Sequence, residues 1–394
     1  MNLLQRAELA PADPILGLTE AFNNDPHVGK VNLGVGVYLD ESGRLPLMAA
    51  VRRAQEEYVG LGKPHGYLPI DGLADYRNAV RDMVFPPEAL ERVATVQTLG
   101  GTGALKVGAD LLHQLSPESS VLISDPSWEN HRALFTRAGF RVDTYPYYDA
   151  QRKGIAFEQL LGRLSEAKAG TVVLLHACCH NPTGYDLTSE QWDQVVALLV
   201  ERGLFPFIDM AYQGFGADVT EDGAVVGKLV AVGVPFLLST SYSKTFGLYG
   251  QRTGALHAVA GDADEARRVL SQLKICARTN YSNPPAFGAA IVATVLGSAE
   301  LTRLWADELT QMRGRIAQLR TQLVAGIAEH GITDMGFIAE QRGMFSYSGL
   351  SVEQMRRLRT DFGIYGTDAG RLCVAALNDT NLAGVAAAIA AVRS

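Results

Sequence analysis

Five short apolar runs, at residues 121–124, 171–175, 204–208, 234–238 and 254–259, alternate with helix-like segments through the middle of the chain. No other feature restricts the fold as strongly. Runs of this length, bounded by polar residues, read as buried strands. Strands that alternate with helices, such as the pattern over residues 190–201, form a mostly parallel sheet covered on both faces. The expectation is an α/β protein. Ligands of such sheets sit beyond the carboxyl ends of the strands. Polar residues collect at those ends: Asp125 after the first run, residues 176–184 after the second, Asp209 and Tyr212 after the third, and residues 241–244 after the fourth. Four loops meeting at one edge describe a site.

Composition narrows the class. The chain has 394 residues, 47% hydrophobic and 20% charged, enough for about two or three domains of roughly 150 residues. Net charge is −7 and no basic tract occurs, so neither nucleic acid nor an anionic membrane is an expected partner. The start, MNLLQRAELAPADPILGL, has no cationic segment followed by an apolar core, so no signal peptide is expected. No stretch approaches the roughly 18 apolar residues of a membrane span. Adjacent Cys178 and Cys179, with Cys276 and Cys373, fit a reducing cytoplasm. Cys178-Cys179-His180 lacks a CxxC partner pair and reads as small core residues at a strand end, so no metal is expected.

Apolar positions at 301, 304, 305, 309, 312, 316, 319, 323 and 327 follow spacings of three and four, which is one long amphipathic helix. It is expected to link the sheet to a C-terminal domain, because residues 337–394 have their own strand-and-helix pattern. The first forty-odd residues carry Pro11, Pro14, Pro26 and an expected short strand at 31–38. They are too few to fold alone and should pack on the C-terminal domain or on a partner chain.

Chemistry concentrates at Ser241-Tyr242-Ser243-Lys244, with Arg252 eight residues on. A lysine closing a buried strand is dehydrated, which favours its neutral amine, and a neutral amine can bond an aldehyde. Hydroxyls and an arginine beside it suit a phosphate. An aldehyde-bonding amine next to a phosphate site implies pyridoxal phosphate. Gly100-Gly101-Thr102-Gly103 opens a helical pattern and is either a phosphate cradle or a turn with a helix start. It matches neither GxGxxG nor GxxxxGK[ST]. Asp209 closes an apolar strand; it is either a structural ion pair or cap, or the partner of a protonated pyridine nitrogen. Asn181 and Tyr212 can donate to the cofactor's phenolic oxygen, although Asn181-Pro182-Thr183-Gly184 alone is a turn. Trp128 is a core aromatic or a ring stacked on the pyridine. Arg371 and Arg278 read, from the residues alone, as solvated surface charge.

Taken together, VNLGVGVY, GYLPIDG, LGGTGALKVGAD, SDPSWENH, LLHACCHNPTG, FIDMAYQGFG, SYSKTFGLYGQR, ARTNYSNPPAFGA, QRGMFSYSGL and GRLCVAALN resemble the class I aminotransferases of fold type I, in the aspartate and aromatic amino acid branch. LGGTGALKVGAD, PSWENH and FSYSGLS look most like the bacterial aromatic amino acid (tyrosine) enzymes; NYSNPPA looks equally like the aspartate enzymes. The resemblance implies a large domain (45–310) with a mostly parallel seven-stranded sheet, a smaller α+β domain (15–44 and 311–394) and an N-terminal arm (1–14). It implies that Lys244 carries the cofactor and then moves the α-proton. It implies Asp209 at the pyridine nitrogen with His131 behind it, and Asn181 and Tyr212 at the phenolic oxygen. Gly101, Thr102, Ser241, Ser243 and Arg252 are to hold the phosphate, Trp128 to stack on the ring, and Arg371 to clamp the substrate α-carboxylate. Tyr67 and Arg278 are to come from the other subunit of a homodimer, the first to the phosphate and the second to a distal carboxylate. Gly36 and Val35 are to lie where the small domain closes.

The expected activity is transfer of an amino group from aromatic amino acids (tyrosine, phenylalanine) and dicarboxylic ones (aspartate, glutamate) to 2-oxo acids such as 2-oxoglutarate. A strict aspartate aminotransferase is the alternative within the family. A β-lyase or decarboxylase uses the same cofactor, but Lys244 and Arg371 together favour α-proton chemistry. A cofactor-binding regulator is disfavoured by the negative charge, and a nicotinamide dehydrogenase by the missing glycine fingerprint.

Overall fold

In the computed structural model, which describes residues 2–9 and 16–393, seven strands form one sheet. In chain order they are β1 (Val93–Leu99), β2 (Ser120–Asp125), β3 (Arg141–Pro146), β4 (Val172–His176), β5 (Phe205–Met210), β6 (Phe236–Ser241) and β7 (Thr253–Val259). Their spatial order is β1-β7-β6-β5-β4-β2-β3. Neighbours are parallel except at β7, which runs antiparallel to both β1 and β6. Each apolar run serves two cores because successive side chains leave opposite faces of a strand. Val121, Ile123, Val172, Leu174, Phe207 and Leu237 pack into one cluster, and Leu122, Val173, Leu175, Ile208 and Leu238 into the other. The register brings the polar strand ends level: His176 lies opposite Asp209, and Asp209 opposite Ser239.

Four helices bear on the site: α1 (Gly100–Leu115), α2 (Glu129–Arg137), α3 (Ala263–Tyr281) and α4 (Ala299–Glu329). α4 buries Leu301, Trp305, Leu309, Met312, Ile316, Leu319, Leu323 and Ile327, the expected stripe except for Leu304, which is half-buried, at about 1.5–3 kcal/mol for each large apolar side chain fully buried. The Trp305 indole N–H donates to the Thr245 carbonyl at 2.7 Å, which ties α4 to the turn that carries Lys244. The helix passes residue 310 without a break. The boundary expected near residue 14 lies outside the described residues.

The N-terminal segment packs on the C-terminal region as expected, but as a shorter strand. Only Val31–Asn32 pairs, in parallel with Ile364–Tyr365. Beyond it, Leu33 N–H donates to the Tyr365 carbonyl and Cys373 N–H to the Leu33 carbonyl, both at 2.7 Å, and the chain turns inward toward Gly36. Phe345–Tyr347 pairs antiparallel with Arg371–Cys373. The four cysteines are free and buried. Among the described residues no single helix is long and apolar enough to cross a membrane; Ala286–Leu296 and Ala299–Glu329 meet both conditions only as a pair, and that pair is bent by 100°.

Candidate active site

A cavity of about 430 Å³ opens at the carboxyl edge of β4, β5 and β6. Gly36, Gly101, Thr102, Trp128, Asn181, Asp209, Tyr212, Ser241, Ser243, Lys244, Arg252 and Arg371 all line it, with Val35 beside Gly36. His131 stands behind Asp209 rather than in the wall. Tyr67 and Arg278 are exposed and lie elsewhere on the chain.

Lys244 follows the fully buried β6 in a turn closed by Gly247 N–H donating to the Lys244 carbonyl at 3.0 Å. Its Nζ lies 4.9 Å from the centre of the Tyr212 ring. Burial lowers the amine from its usual range to about 8; the charges of Arg252 and Arg371 push the same way, and that of Asp209 opposes them. A substantial neutral fraction near pH 7–8 follows.

Asp209 is 5% exposed. His131 Nε2 lies 3.1 Å from its Oδ2, and His131 Nδ1 lies 2.9 Å from Ser127 Oγ. Burial raises the carboxyl, but the hydrogen bond and charge interaction with His131, with help from His176 and Ser239, outweigh that and leave it below its usual range. It is therefore an ionised acceptor at the cavity floor. Burial pushes the Tyr212 hydroxyl up against the opposing charge of Arg371, so it stays protonated and can donate.

Opposite, α1 starts at Gly100 with no side-chain cap on its first turn, leaving amides free for an anion. Ser241 Oγ and Ser243 Oγ are 3.3 Å apart, and Arg252 Nη1 donates to Ser243 Oγ at 3.5 Å and to the Tyr249 carbonyl at 2.9 Å. Glycine makes this cup possible. A Cβ on Gly254 would lie 2.4 Å from the Gly100 carbonyl carbon, so β7 can approach the start of α1 only without a side chain. Gly254→Ala must lift that helix start, and overpacking of this kind costs about 1–3 kcal/mol. We expect cofactor affinity to fall by roughly 5- to 150-fold, read by equilibrium dialysis; unchanged retention would refute the close-approach argument.

Arg371 departs from the surface reading of its sequence. It is 1% exposed, donates from Nη1 to Asn181 Oδ1 at 3.1 Å and from Nη2 to the Gly34 carbonyl at 2.8 Å, and covers the Phe345 ring at 4.3 Å. Among the described residues its Nε has no hydrogen-bond partner. Of the carboxylates in that set only Glu129 comes within ion-pair range, at 3.6 Å, and Glu129 Oε2 also lacks a hydrogen bond there. Asn181 thus spends its amide oxygen on Arg371 and keeps its NH₂ for the cavity.

Sequence reasoning gave no role to three participants, of which only His176 had been visible, as a polar strand end. His176 lines the cavity with neither ring nitrogen hydrogen-bonded among the described residues, and burial takes it down to about 3, so it is neutral. Glu129 stands next to Trp128 in the PSWENH segment, which was the available signal. The Tyr249 hydroxyl accepts the Tyr38 N–H at 3.0 Å and anchors the Gly36 loop at the cavity mouth.

Residues 28–389 match the family of class I and II aminotransferases. An aspartate aminotransferase of Pseudomonas aeruginosa is 52% identical over 99% of each chain. The aromatic-amino-acid aminotransferase of Escherichia coli is 48% identical over 99% of this chain and 100% of its own. The crystal structure of the Burkholderia pseudomallei aromatic-amino-acid aminotransferase, covalently bound to pyridoxal phosphate, superposes with a TM-score of 0.97, at 55% identity over 100% of both chains. The chain belongs to the class I and II aminotransferases. It is a transaminase that uses pyridoxal phosphate, built on fold type I. The side chains fit that cofactor. An amine lowered to about 8 suits an aldehyde, an ionised Asp209 suits a pyridinium, and the uncapped α1 start with Ser241, Ser243 and Arg252 suits a phosphate.

Proposed function

We propose that this aminotransferase takes its amino group from both aromatic and dicarboxylic amino acids and gives it to 2-oxo acids such as 2-oxoglutarate. The observation that carries the reading is Arg371: a buried guanidinium with an unpartnered Nε, facing the same cavity as Lys244. An under-paired buried cation is costly, and the carboxylate common to every amino acid and oxo acid satisfies it by two parallel hydrogen bonds. Bound in the cavity, pyridoxal phosphate supplies an aldehyde for the amine and an electron sink for the α-carbon. Lys244 would hold it covalently until the substrate amine displaces the lysine nitrogen; the freed Lys244 amine would then take the α-proton and later give it back. Asp209 would keep the pyridine nitrogen protonated, with His131 fixing the carboxylate. Tyr212 and the Asn181 NH₂ would donate to the phenolic oxygen, Trp128 would pack on the ring, and Gly101, Thr102, Ser241, Ser243 and Arg252 would hold the phosphate. Turnover runs in two half-reactions, the first oxo acid leaving before the second binds.

In the same reading residues 15–44 and 311–394 form a small domain that closes at Gly36 and Val35 over the large domain, 45–310, and the protein is a cytoplasmic homodimer. Free, buried cysteines suit a reducing compartment. A shared site is supported by Tyr67, 95% exposed, in a broad groove whose rim includes Arg252 of the cavity. Tyr67 then reaches the phosphate, and Arg278 the distal carboxylate, of the partner subunit's site. Arg278→Leu should weaken kcat/KM for aspartate by roughly 3 kcal/mol, about 150-fold, and far less for tyrosine; equal losses would refute the assignment.

A strict aspartate enzyme is the second reading, favoured by the Pseudomonas relative. Absorbance titration of the cofactor-loaded protein with tyrosine and then aspartate, with no oxo acid present, separates the two. Conversion of the cofactor band by both supports dual specificity; conversion by aspartate alone supports the strict enzyme.

A further inference from the structure

Arg320 sits in the middle of α4 and is 3% exposed. Its Nη2 donates to the Gly343 and Phe345 carbonyls, each at 2.6 Å, and its Nε to Ser346 Oγ at 3.2 Å. Among the described residues no carboxylate lies within ion-pair distance of it. A buried arginine whose hydrogen-bond acceptors are neutral oxygens is expensive, and an apolar side chain of similar volume would fill the space at lower cost. What an apolar side chain cannot do is grip two carbonyls two residues apart. The planar fork of guanidinium N–H groups does so in one fixed geometry. Burial also takes the group down to about 10, yet it stays charged throughout the physiological range.

The gripped segment is the wall of the substrate cavity. The Phe345 ring underlies the Arg371 guanidinium at 4.3 Å and meets the Tyr212 ring edge-on at 5.9 Å. It also fills the space that a side chain at Gly36 would need, since a Cβ there would lie 2.5 Å from Phe345 Cζ. In the strand pair, Phe345 lies opposite Cys373 and Tyr347 opposite Arg371. A Cβ on Gly343, at φ 76°, would lie 2.5 Å from Cys179 Cβ, so the same segment runs close to the loop that leads to Asn181. The 343–347 segment therefore borders Arg371, Tyr212, Gly36 and the Asn181 loop at the carboxylate end of the cavity.

We propose that Arg320 is a positioning residue: from α4 it holds the Phe345 segment so that the Phe345 ring supports Arg371, and it thereby sets affinity for the substrate carboxylate without touching substrate or cofactor. This rests on the reading of Arg371 as the carboxylate clamp. Removing the fork should loosen Phe345 and leave the phosphate cup, on the other side of the cavity, unchanged.

The test uses cofactor-loaded protein and two unreactive ligands, a C4 dicarboxylate and a 3-arylpropionate, titrated by the shift of the cofactor absorbance. For Arg320→Met we expect both ligands to bind about 10-fold more weakly and KM to rise with kcat changed less than 3-fold, as for loss of ground-state binding. Cofactor affinity should stay within about 2-fold, and Arg320→Lys should fall between parent and Met. Should Arg320→Met fail to fold, Arg320→Lys and Phe345→Leu carry the test through a double-mutant cycle. In Arg320→Lys/Phe345→Leu the Lys change should add no further loss of ligand affinity, because its effect passes through the ring. Additive losses, or a lowered melting temperature with ligand affinity intact, would overturn the proposal and leave Arg320 a fold-stabilising residue. Arg371→Leu is run in parallel. If it binds both ligands as the parent does, the clamp reading fails and takes this proposal with it; if it loses them while the cycle shows no coupling, the Arg320 proposal alone fails.

Discussion

Lys244→Ala should fold, retain the cofactor through the phosphate cup, and lose transamination. A positioned general base and acid contributes roughly 10²–10⁴-fold, and Lys244 is the amine that faces the cavity, so we expect kcat to fall by about 10³-fold or more. Stopped-flow absorbance with tyrosine and no oxo acid isolates the half-reaction in which the α-proton moves. A loss of less than tenfold there would mean another group moves the proton. The pH dependence gives a second check on the same residue. Burial takes the amine to about 8, and only the neutral form attacks an aldehyde. Capture of added pyridoxal phosphate by cofactor-free protein should therefore rise about tenfold per pH unit below 8 and level off above it. An exposed lysine would level off near 10.4. A plateau that appears only near pH 10 would show that Lys244 is solvated and that the cavity does not tune it.

The sheet was largely legible because five of its strands are continuous apolar runs, which a doubly covered sheet requires. The two strands that no run announced fail that rule for different reasons. β1 contains Thr95, Gln97 and Thr98, polar yet buried. Thr95 pairs with His257 at 2.9 Å, and Gln97 bridges the Pro285 carbonyl and the Leu73 N–H. Partners on distant segments remove the cost of burying these groups, and those partners cannot be read from local pattern. β3 is an edge strand that alternates exposed with half-buried residues over 141–144 and buries only Tyr145, so it carries little apolar signal. The opening segment fell short of a full strand because its backbone is needed elsewhere: Gly34 gives its carbonyl to Arg371.

The proposed cofactor half of the site was legible for a related reason. Asp209 lies at the carboxyl end of β5, Asn181 and Lys244 in the segments that follow β4 and β6, and Gly101 and Thr102 in the first turn of α1 directly after β1, the edge where the α/β arrangement places a ligand. The substrate half was not, since nothing near Arg371 in sequence distinguishes it from a surface arginine. Its burial comes from the pairing of Phe345–Tyr347 with Arg371–Cys373 under the loop of Gly34 and Gly36, and the contact with Gly34 spans 337 residues. Only the family resemblance singled it out. His176 shows the opposite case: it was visible as a polar strand end, but its neutrality follows from burial beside His131.

Arg371→Leu should weaken kcat/KM for every amino acid, aromatic and dicarboxylic alike, and this uniformity sets it apart from Arg278→Leu. Removing one partner of a buried charge pair costs roughly 3–5 kcal/mol, which corresponds to a loss of about 10²–10³-fold or more. The leucine keeps the contact with Phe345 but strands Asn181 Oδ1 and the Gly34 carbonyl, both of which accept from the guanidinium. It also leaves Glu129 without the cation 3.6 Å away. Part of the loss is therefore disorder of the Gly34–Gly36 loop, and a melting curve measured alongside separates it from lost substrate binding. Arg371→Lys should recover little. An ammonium at the end of a flexible chain cannot make two parallel hydrogen bonds to a carboxylate while still holding Asn181 and Gly34, whereas one planar guanidinium presents N–H groups to all of them. If lysine restored full activity, charge alone would matter and the geometric account of the clamp would fall. If the leucine variant lost aspartate but kept tyrosine, Arg371 would be reading the distal carboxylate instead, and the roles of the two arginines would have to be exchanged.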